Sequence, residues 1–258
     1  MLPRTRLALL SLALGALALV VPAASLASTH GADGGADRTV TKRWIQISRI
    51  DGGFRYQASL HDNDLTITRT GGRVLFADRA ARVVRTLPHG CRRVAVETGR
   101  AVSCRIPATT SVAQPLQLRI EPQRGDDRVD GSALTAEMQL TLLGAQGDDE
   151  LLGGAAADFV NGAAGVDQVH GGPGNDTIRT GDGDDVADGG VGDDHVIGTA
   201  GDDQLAGSVG DDVLEGGDGN DLLLGGPGED SLLCGDGDDT TDDDGELDLV
   251  RHCEHTVA

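Results

Sequence analysis

The feature that most constrains the fold of this chain is a nine-residue repeat between residues 144 and 251. Written in rows of nine from Gly144, this segment gives twelve rows without a gap, for example GGPGNDTIR, GGVGDDHVI and GGDGNDLLL. The sixth position is Asp in all twelve rows, the fourth is Gly in ten, and the eighth is aliphatic in ten. A short fixed period is typical of a solenoid, in which each unit stacks on its neighbours.

The repeat also carries the charge of the protein. The chain has 258 residues and a net charge of -21, from 42 acidic and 21 basic side chains. Residues 144–251 hold 29 of the acidic side chains and two arginines, so the rest of the chain is net positive. Phosphates would be repelled by such a surface, which argues against a nucleic-acid partner. A disordered acidic tail would have this composition but not the strict register.

The rows resemble the GGxGxDxUx nonapeptide of the RTX (hemolysin-type) calcium-binding repeat family. The resemblance implies an all-β protein, with a small antiparallel β region followed by a C-terminal parallel β-roll. Each row would supply one loop and one short strand, and two rows would make a coil, so that twelve rows give about six coils. The segments around Asn63–Ile67, Gly90-Cys91 and Gly125–Val129 are also similar to what precedes such repeats in secreted proteins of actinobacteria.

The column of aspartates is the predicted calcium site. Aspartates two rows apart, such as Asp167 and Asp185, would stack about 5 Å apart and repel by roughly 3 kcal/mol at an effective dielectric of 20. A divalent cation between successive loops reverses the repulsion, and a shell of carboxylates and backbone carbonyls suits Ca²⁺. Ten loop pairs are related by two rows, so about ten calcium ions is the ceiling. We expect fewer.

The predicted ligands share the sixth and fourth positions of the rows. The carboxylates are those of Asp149, Asp167, Asp176, Asp185, Asp194, Asp203, Asp212, Asp221, Asp230 and Asp239. The loop carbonyls are those of Gly165, Gly174, Gly183, Gly192, Gly201, Gly210, Gly219 and Gly228. Weaker sites are expected at Asp158 and Asp248, because Ala156-Ala157 and Glu246-Leu247 depart from the loop pattern.

The N-terminal half is predicted to form a small antiparallel β region over residues 40–121, with the calcium-binding roll over 122–251. Leu65–Thr68 alternates up to Gly71-Gly72, which is the pattern of a hairpin. Four of the five aromatic residues lie in this region and would form its core. Gly125–Val129 is a half-repeat out of register by four residues, and it is predicted to begin the roll, with 132–137 as a small insertion.

The N-terminal segment 1–27 has the features of a secretory signal peptide. Arg4 and Arg6 precede an apolar run over Leu7–Val21, and Ser25-Leu26-Ala27 fits a cleavage site after Ala27. The run is about 15 residues, short of the ~20 that a membrane-spanning helix needs. We therefore expect a secreted, extracellular protein with no membrane span in the mature chain, a flexible leader over 28–39 and a C-terminal tail over 252–258.

Four cysteines in the mature chain agree with export to an oxidising compartment. They allow three disulfide connectivities, and proximity in sequence favours Cys91–Cys104 and Cys234–Cys253. The alternative use of Cys253 is a zinc site with His252 and His255. That segment has no second pair of zinc ligands.

The sequence contains no catalytic signature. HExxH and GxSxG are both absent, and the paired aspartates recur along the rows, whereas an active site needs one unique constellation. We therefore expect a secreted calcium-binding protein, not an enzyme, whose roll acts as a scaffold or surface module. The alternatives are an adhesive or matrix protein whose N-terminal β region binds a protein or carbohydrate partner, and a module of a secreted hydrolase.

Overall fold

A computed structural model describes residues 43–242 and 249–257 of the chain, and these residues form β-strands and turns without a helix. No part of these two ranges is therefore a helix that could cross a membrane. The predicted signal peptide and leader, and the repeat residue Asp248, lie outside the described residues. The strands are β1 (Trp44–Ile50), β2 (Gly53–Ala58), β3 (Asp64–Thr70), β4 (Arg73–Asp78), β5 (Val83–Val84), β6 (Cys91–Val94), β7 (Arg100–Arg105), β8 (Leu116–Glu121), β9 (Arg128–Asp130), β10 (Met138–Gln146), β11 (Glu150–Leu152), β12 (Phe159–Ala164), β13 (Gln168–Pro173), β14 (Thr177–Asp182), β15 (Val186–Val191), β16 (His195–Ala200), β17 (Gln204–Val209), β18 (Val213–Asp218), β19 (Leu222–Leu224), β20 (Ser231–Asp236), β21 (Thr240–Asp242), β22 (Leu249–Arg251) and β23 (His255–Val257).

The strands build two sheets that face each other across one thin core. The first sheet has the order β22-β20-β18-β16-β14-β12-β10-β8-β2-β1-β5. The second has the order β23-β21-β19-β17-β15-β13-β11-β9-β3-β4-β7-β6. From β10 onward the chain alternates between the sheets strand by strand, so each strand pairs in parallel with the strand two places later. The predicted all-β fold with a C-terminal parallel β-roll is confirmed.

The register of the roll is two rows of the repeat. In the second sheet Leu151 pairs with Val169, and the same column continues through Ala187, Leu205 and Leu223. All five side chains are buried. The eighth position therefore supplies one inward-facing side chain per strand from Leu151 to Thr241, whereas Val250 of the last row is exposed. Burial of such a side chain contributes about 1.5–3 kcal/mol, which makes the core of the roll continuous but shallow.

The N-terminal strands extend the same two sheets. β2 pairs in parallel with β8, with Gly53 opposite Gln117, and β3 pairs in parallel with β9, with Asp64 opposite Arg128. β8 then pairs in parallel with β10, so the boundary predicted at residue 122 does not coincide with a break in either sheet. Antiparallel pairing is confined to β1–β2, β3–β4, β4–β7 and β6–β7 among the named strands.

The antiparallel strands cover the edge at which the parallel stack would otherwise end. An uncovered edge presents free N–H and C=O groups that can pair with another chain. This end also holds the larger core residues, including Phe54, Tyr56 and Phe76, all fully buried. Tyr56 donates a hydrogen bond from its hydroxyl to Asp78 Oδ2 at 2.6 Å. The aromatic residues thus stabilise the capped end, as the sequence predicts.

Two disulfides close the ends of the structure. Cys91 and Cys104 are directly paired across β6 and β7, with a Cα–Cα distance of 4.0 Å. Cys234 of β20 is bonded to Cys253, which lies just before β23, with a Cα–Cα distance of 5.2 Å. These are the pairs that proximity in sequence favours. Because Cys253 is bonded to Cys234, it has no thiolate for the alternative zinc site.

Candidate metal centre

The loops between strands share one backbone conformation that depends on glycine. In most loops of the roll, positive φ angles occur at the second and fourth positions of the row, as at Gly181 (φ 124°) and Gly183 (φ 140°). A side chain at Gly183 would also collide with the carbonyl oxygen of Gly165 in the preceding loop. Glycine at the fourth position therefore permits both the φ angle and the close stacking of successive loops.

The sixth-position aspartates form two buried ladders along the roll. From Asp167 to Asp239, the Oδ1 atom of each aspartate accepts a hydrogen bond from the backbone amide of the aspartate two rows earlier. For example, Asp167 N donates to Asp185 Oδ1 at 2.7 Å, and Asp176 N donates to Asp194 Oδ1 at 2.7 Å. The aspartates at this position from Asp149 to Asp239 are at most 3% exposed. The repeat therefore stacks carboxylates in the interior, beside one another.

The second oxygen of most of these carboxylates has no partner. The Oδ2 atoms of Asp149, Asp167, Asp176, Asp185, Asp194, Asp203, Asp212, Asp221 and Asp239 are buried, and the structure gives them no hydrogen bond. Asp230 continues the same ladder, where its Oδ1 atom accepts from Asp212 N at 2.8 Å. A buried polar atom without a partner is costly, and a buried charge more so. Rows of such atoms indicate that another group completes their coordination.

The space beside these oxygens is kept open by glycine at the first position of the row. A Cβ atom added at Gly189 would lie 2.5 Å from Asp194 Oδ2. One added at Gly162 would collide with Asp167 Oδ2 and would lie 2.7 Å from the carbonyl oxygen of Thr180 in the next coil. An unpaired carboxylate oxygen and a backbone carbonyl thus face the same small cradle. The nine first-position glycines are Gly144, Gly153, Gly162, Gly171, Gly189, Gly198, Gly207, Gly216 and Gly225.

Burial disfavours the ionised form of the ladder aspartates when no cation is bound. It raises the pKa of Asp149 to about 8 and the pKa values of Asp194 and Asp203 to about 7. A hydrogen bond from a backbone amide opposes the shift in each case, and the neighbouring aspartates of the ladder add to it. A divalent cation would offset both the burial and the mutual repulsion of the carboxylates.

The available ligands are all oxygens. Within residues 43–242 and 249–257, no three His, Cys, Asp or Glu side chains converge on one point, so a cation would draw much of its shell from backbone carbonyls. Carboxylate and carbonyl oxygens on flexible loops match the preferences of Ca²⁺, whereas Zn²⁺ prefers Cys and His. The cradles therefore fit calcium.

The predicted loop carbonyls lie between successive loops. The carbonyl oxygen of each of the first seven predicted glycines lies against the fourth-position glycine of the next coil, where a Cβ atom would collide with it. These seven are Gly165, Gly174, Gly183, Gly192, Gly201, Gly210 and Gly219. The corresponding neighbour of Gly228 is residue 246, which is outside the described residues.

Asp158 differs from the other ladder aspartates. Its Oδ1 atom accepts a hydrogen bond from Leu140 N, and its Oδ2 atom accepts one from Gly154 N at 2.7 Å. Both oxygens of Asp158 therefore have hydrogen-bond partners, unlike those of Asp149 or Asp167. The weaker calcium site expected at Asp158 stays a prediction.

Three rows carry a side chain at the first position, where nine others have glycine, and two of these, Thr180 and Cys234, are among the described residues. Thr180 is fully buried, and its hydroxyl donates to the carbonyl oxygen of Gly198 at 3.2 Å. Cys234 is fully buried and is held there by its disulfide to Cys253. The cradles beside Asp185 and Asp239 therefore contain a hydroxyl and a sulfur atom, so the sites along the roll are not equivalent.

Two residues of the ladders are not among the predicted ligands. Asp127 occupies a sixth position at the N-terminal end, where its amide donates to Asp149 Oδ1 at 2.7 Å. Glu254 closes the C-terminal end, where its Oε2 atom accepts from Asp239 N at 3.1 Å. Asp127 belongs to the half-repeat Gly125–Val129, so the sequence pattern could have identified it as a member of the ladder. Glu254 follows Asp239 by less than two rows, so the period gives no signal for it.

The fold and these loops define a class of protein: a parallel β-solenoid whose stacked, glycine-rich loops place rows of buried carboxylates. Residues 141–241 match the RTX calcium-binding nonapeptide repeat in four copies, over residues 141–169, 170–205, 197–232 and 206–241. Residues 141–241 thus carry RTX calcium-binding nonapeptide repeats, and they form a parallel β-roll. A comparison with curated proteins finds no match to the chain.

Proposed function

We propose that this protein is a secreted, non-enzymatic calcium-binding protein whose β-roll acts as a calcium-stabilised scaffold or surface module. The observation that carries the proposal is the pair of buried aspartate ladders, in which most Oδ2 atoms have no hydrogen-bond partner among the described residues. The same residue type recurs in similar buried positions along the roll, which suits several bound ions better than one reacting substrate. The roll would therefore gain rigidity, and not a chemical activity, from its ligand.

Calcium binding and folding should be coupled in the roll. The carboxylates of one ladder, such as Asp176, Asp194 and Asp212, hold the amides of neighbouring loops through Oδ1 and would present Oδ2 to a cation. Without the cation, the roll retains the repulsion but loses the attraction that offsets it. Because the site exists only in the folded state, binding free energy becomes folding free energy. At most about ten ions would bind, and extracellular calcium modules typically have dissociation constants of about 10⁻⁴ to 10⁻³ M.

An extracellular location accounts for the disulfides, and it suits the calcium affinity that is expected above for the sites of the roll. The Cys91–Cys104 and Cys234–Cys253 bonds persist in oxidising compartments and are rare in the cytosol. Sites that need roughly millimolar calcium would be empty in the cytosol and filled outside the cell. We propose that residues 1–27 direct this export. Detection of a mature N-terminus at Ser28 in the culture medium would support this step, and retention of the intact chain in the cell would contradict it.

Calorimetric titration of the chelator-treated protein with CaCl₂, matched by a titration with MgCl₂, tests the proposal. We expect several calcium ions per chain in the affinity range above. Binding of magnesium should be much weaker, because Mg²⁺ demands near-ideal octahedral geometry and dehydrates reluctantly. Absence of calcium binding at 10 mM, roughly ten times the weakest expected dissociation constant, would refute the proposal.

A second candidate function is binding of an anionic partner by the N-terminal strands. Arg73 and Arg105 are directly paired across β4 and β7, and Arg49 donates to the carbonyl oxygen of the nearby His89. None of these three arginines has a carboxylate partner among the described residues. Arg73 also donates to the carbonyl oxygen of Gly90, which accepts a second hydrogen bond from the backbone amide of Arg105, so the three residues lie around one turn. Like charges placed directly opposite destabilise a sheet unless a counter-charge is supplied.

The full chain should be used to test this second function, because β2, β3 and β8 share sheets with the roll and are not a separate unit. In millimolar calcium, the protein is passed over a sulfated polysaccharide resin and over a neutral dextran resin. Salt-sensitive retention on the first resin alone, lost in Arg73→Gln/Arg105→Gln, would support an anionic partner. Equal elution from both resins would contradict it.

A further inference from the structure

Residues 123–127 have the backbone of a calcium-binding loop although they lie outside the matched repeats. Gln123 has a φ of 93° and Gly125 a φ of 117°. The corresponding second and fourth positions of the first full row, Ala145 and Gly147, have φ values of 91° and 126°. The alternation of positive φ angles is the same in both loops. Gln123 adopts this conformation without the freedom of glycine, so the surrounding stack must hold it there.

This loop stacks on the first full row as the repeats stack on one another. A Cβ atom at Gly147 would collide with the carbonyl oxygen of Gly125, as one at Gly165 would with that of Gly147. β9 and β11 are paired in parallel, with Arg128 opposite Glu150. The spacing between the two loops exceeds two rows of the repeat. The extra residues fit in the turn between β9 and β10, so they leave the loop itself unchanged.

The carboxylate of Asp127, like those of most ladder aspartates, has one buried oxygen without a hydrogen-bond partner. Asp127 is 2% exposed, and its Oδ2 atom is buried without a hydrogen-bond partner. Its Oδ1 atom is fully used, because it accepts from Asn63 N at 2.6 Å and from Asn63 Nδ2 at 2.7 Å. The Asn63 amide also donates to the carbonyl oxygens of His61 and Pro122, so a neutral side chain ends the ladder here. Oδ2 is therefore the one oxygen of this carboxylate left without a partner among the described residues, in a side chain whose own amide is bonded to Asp149 of the following loop.

We propose that Asp127 is a ligand of a further calcium ion, held between the loop of residues 122–127 and the loop of residues 144–149. The proposal rests on the calcium-binding function of the roll and extends it to a segment that the repeat match does not include. Pro122 stands at the first position, where nine rows have glycine to keep the cradle open. This site should consequently be the weakest of its ladder and should fill last.

Equilibrium dialysis with elemental analysis, which counts calcium ions per chain, tests the proposal. In saturating calcium, Asp127→Asn should bind about one ion fewer than the wild-type protein, with an unchanged circular dichroism spectrum. The matched control is Asp126→Asn, which removes the same charge from the exposed neighbouring position and should retain the full number. Pro122→Gly should keep the number of ions but fill its last site at a several-fold lower calcium concentration.

The outcomes separate this inference from the function on which it rests. If the wild-type protein binds no calcium, the proposed function fails. If it binds calcium and Asp127→Asn binds the same number, the function stands and the further site is refuted. Should Asp127→Asn fail to fold, Pro122→Gly decides, because an unchanged last binding step in that variant would overturn the proposal.

Discussion

Replacing one ladder aspartate by asparagine should have opposite effects with and without calcium. Asp194 is 2% exposed, its Oδ1 atom accepts from Asp176 N at 2.7 Å, and its Oδ2 atom has no partner. Asp194→Asn keeps the shape and the Oδ1 acceptor but removes the charge. The matched control is Asp193→Asn, which removes the same charge at the adjacent exposed position, where Oδ1 accepts from Asp211 N.

The magnitude follows from the environment of the carboxylate. Burial raises the pKa of Asp194 to about 7, with repulsion from Asp176 and Asp212 adding to the shift. Keeping Asp194 ionised in the calcium-free fold near neutral pH then costs at most about 4 kcal/mol, or about 2 kcal/mol after screening by water and salt. In calcium at 100 times the dissociation constant, one site contributes about 2.7 kcal/mol of stability. The variant should gain the first amount and lose the second.

Two measurements by circular dichroism separate these effects. In EDTA, folding is induced with trimethylamine N-oxide, which favours compact states, and Asp194→Asn should need less of it than the wild-type protein. In 10 mM calcium, which is roughly 10 to 100 times the expected dissociation constant, urea denaturation should show a calcium-dependent gain in unfolding free energy that is about 1.4 to 2.7 kcal/mol smaller than in the wild-type protein. An undiminished gain, or the same response in Asp193→Asn, would refute the assignment of Asp194 as a ligand.

Three further predictions follow from the loops and from the C-terminal end. Without calcium, the β-sheet signal should rise as the pH falls from 8 toward 5.5. Carboxyl groups whose pKa is raised by folding bind more protons in the folded state than in the unfolded state, so their protonation stabilises the fold below about pH 7. A signal that falls over this pH range would contradict the prediction. Gly207→Ala should bind about one calcium ion fewer than the wild-type protein in equilibrium dialysis, because the added Cβ atom would lie 2.8 Å from Asp212 Cγ. The control Gly72→Ala, whose Cβ atom would have nothing within 4 Å, should bind the full number. Equal numbers of ions in the two variants would contradict a role of the first-position glycine in the calcium site. Cys234→Ser/Cys253→Ser should lower the unfolding free energy in calcium by about 3 kcal/mol, as expected for a disulfide that closes a loop over 19 residues. Faster amide hydrogen exchange should be confined to β20–β23. An unchanged urea denaturation curve would refute a role of this disulfide in closing the roll.

The repeat could be predicted from the sequence in detail because its signal is periodic. The two-row register is what the resemblance to the RTX repeat implies, and the inward column from Leu151 to Leu223 and the stacked column of aspartates follow from that register. The departure at Ala156-Ala157 is also visible in the sequence, and it predicts a weaker site at Asp158. The structure adds that Gly154 N donates a hydrogen bond to Asp158 Oδ2, which the sequence pattern does not indicate.

The ends of the roll could not be predicted in the same way. β2 and β3 join the parallel sheets through partners that are far away in the sequence, and a single long-range pairing leaves no period to detect. Alternation in Leu65–Thr68 correctly predicts a strand and its hairpin but does not tell which strand pairs with its other edge. The C-terminal tail likewise joins the roll through Glu254 and β23, at a separation of 15 residues, which is shorter than two rows of the repeat.

The most direct test of a calcium-stabilised roll is circular dichroism of the intact protein during a titration from excess EDTA to excess calcium. Coupled folding predicts that most of the β-sheet signal is lost in EDTA at pH 8 and returns cooperatively as calcium is added, with a remainder from the aromatic core of the N-terminal strands. A β-sheet signal that stays unchanged in excess EDTA would contradict the claim that calcium holds the aspartate ladders together.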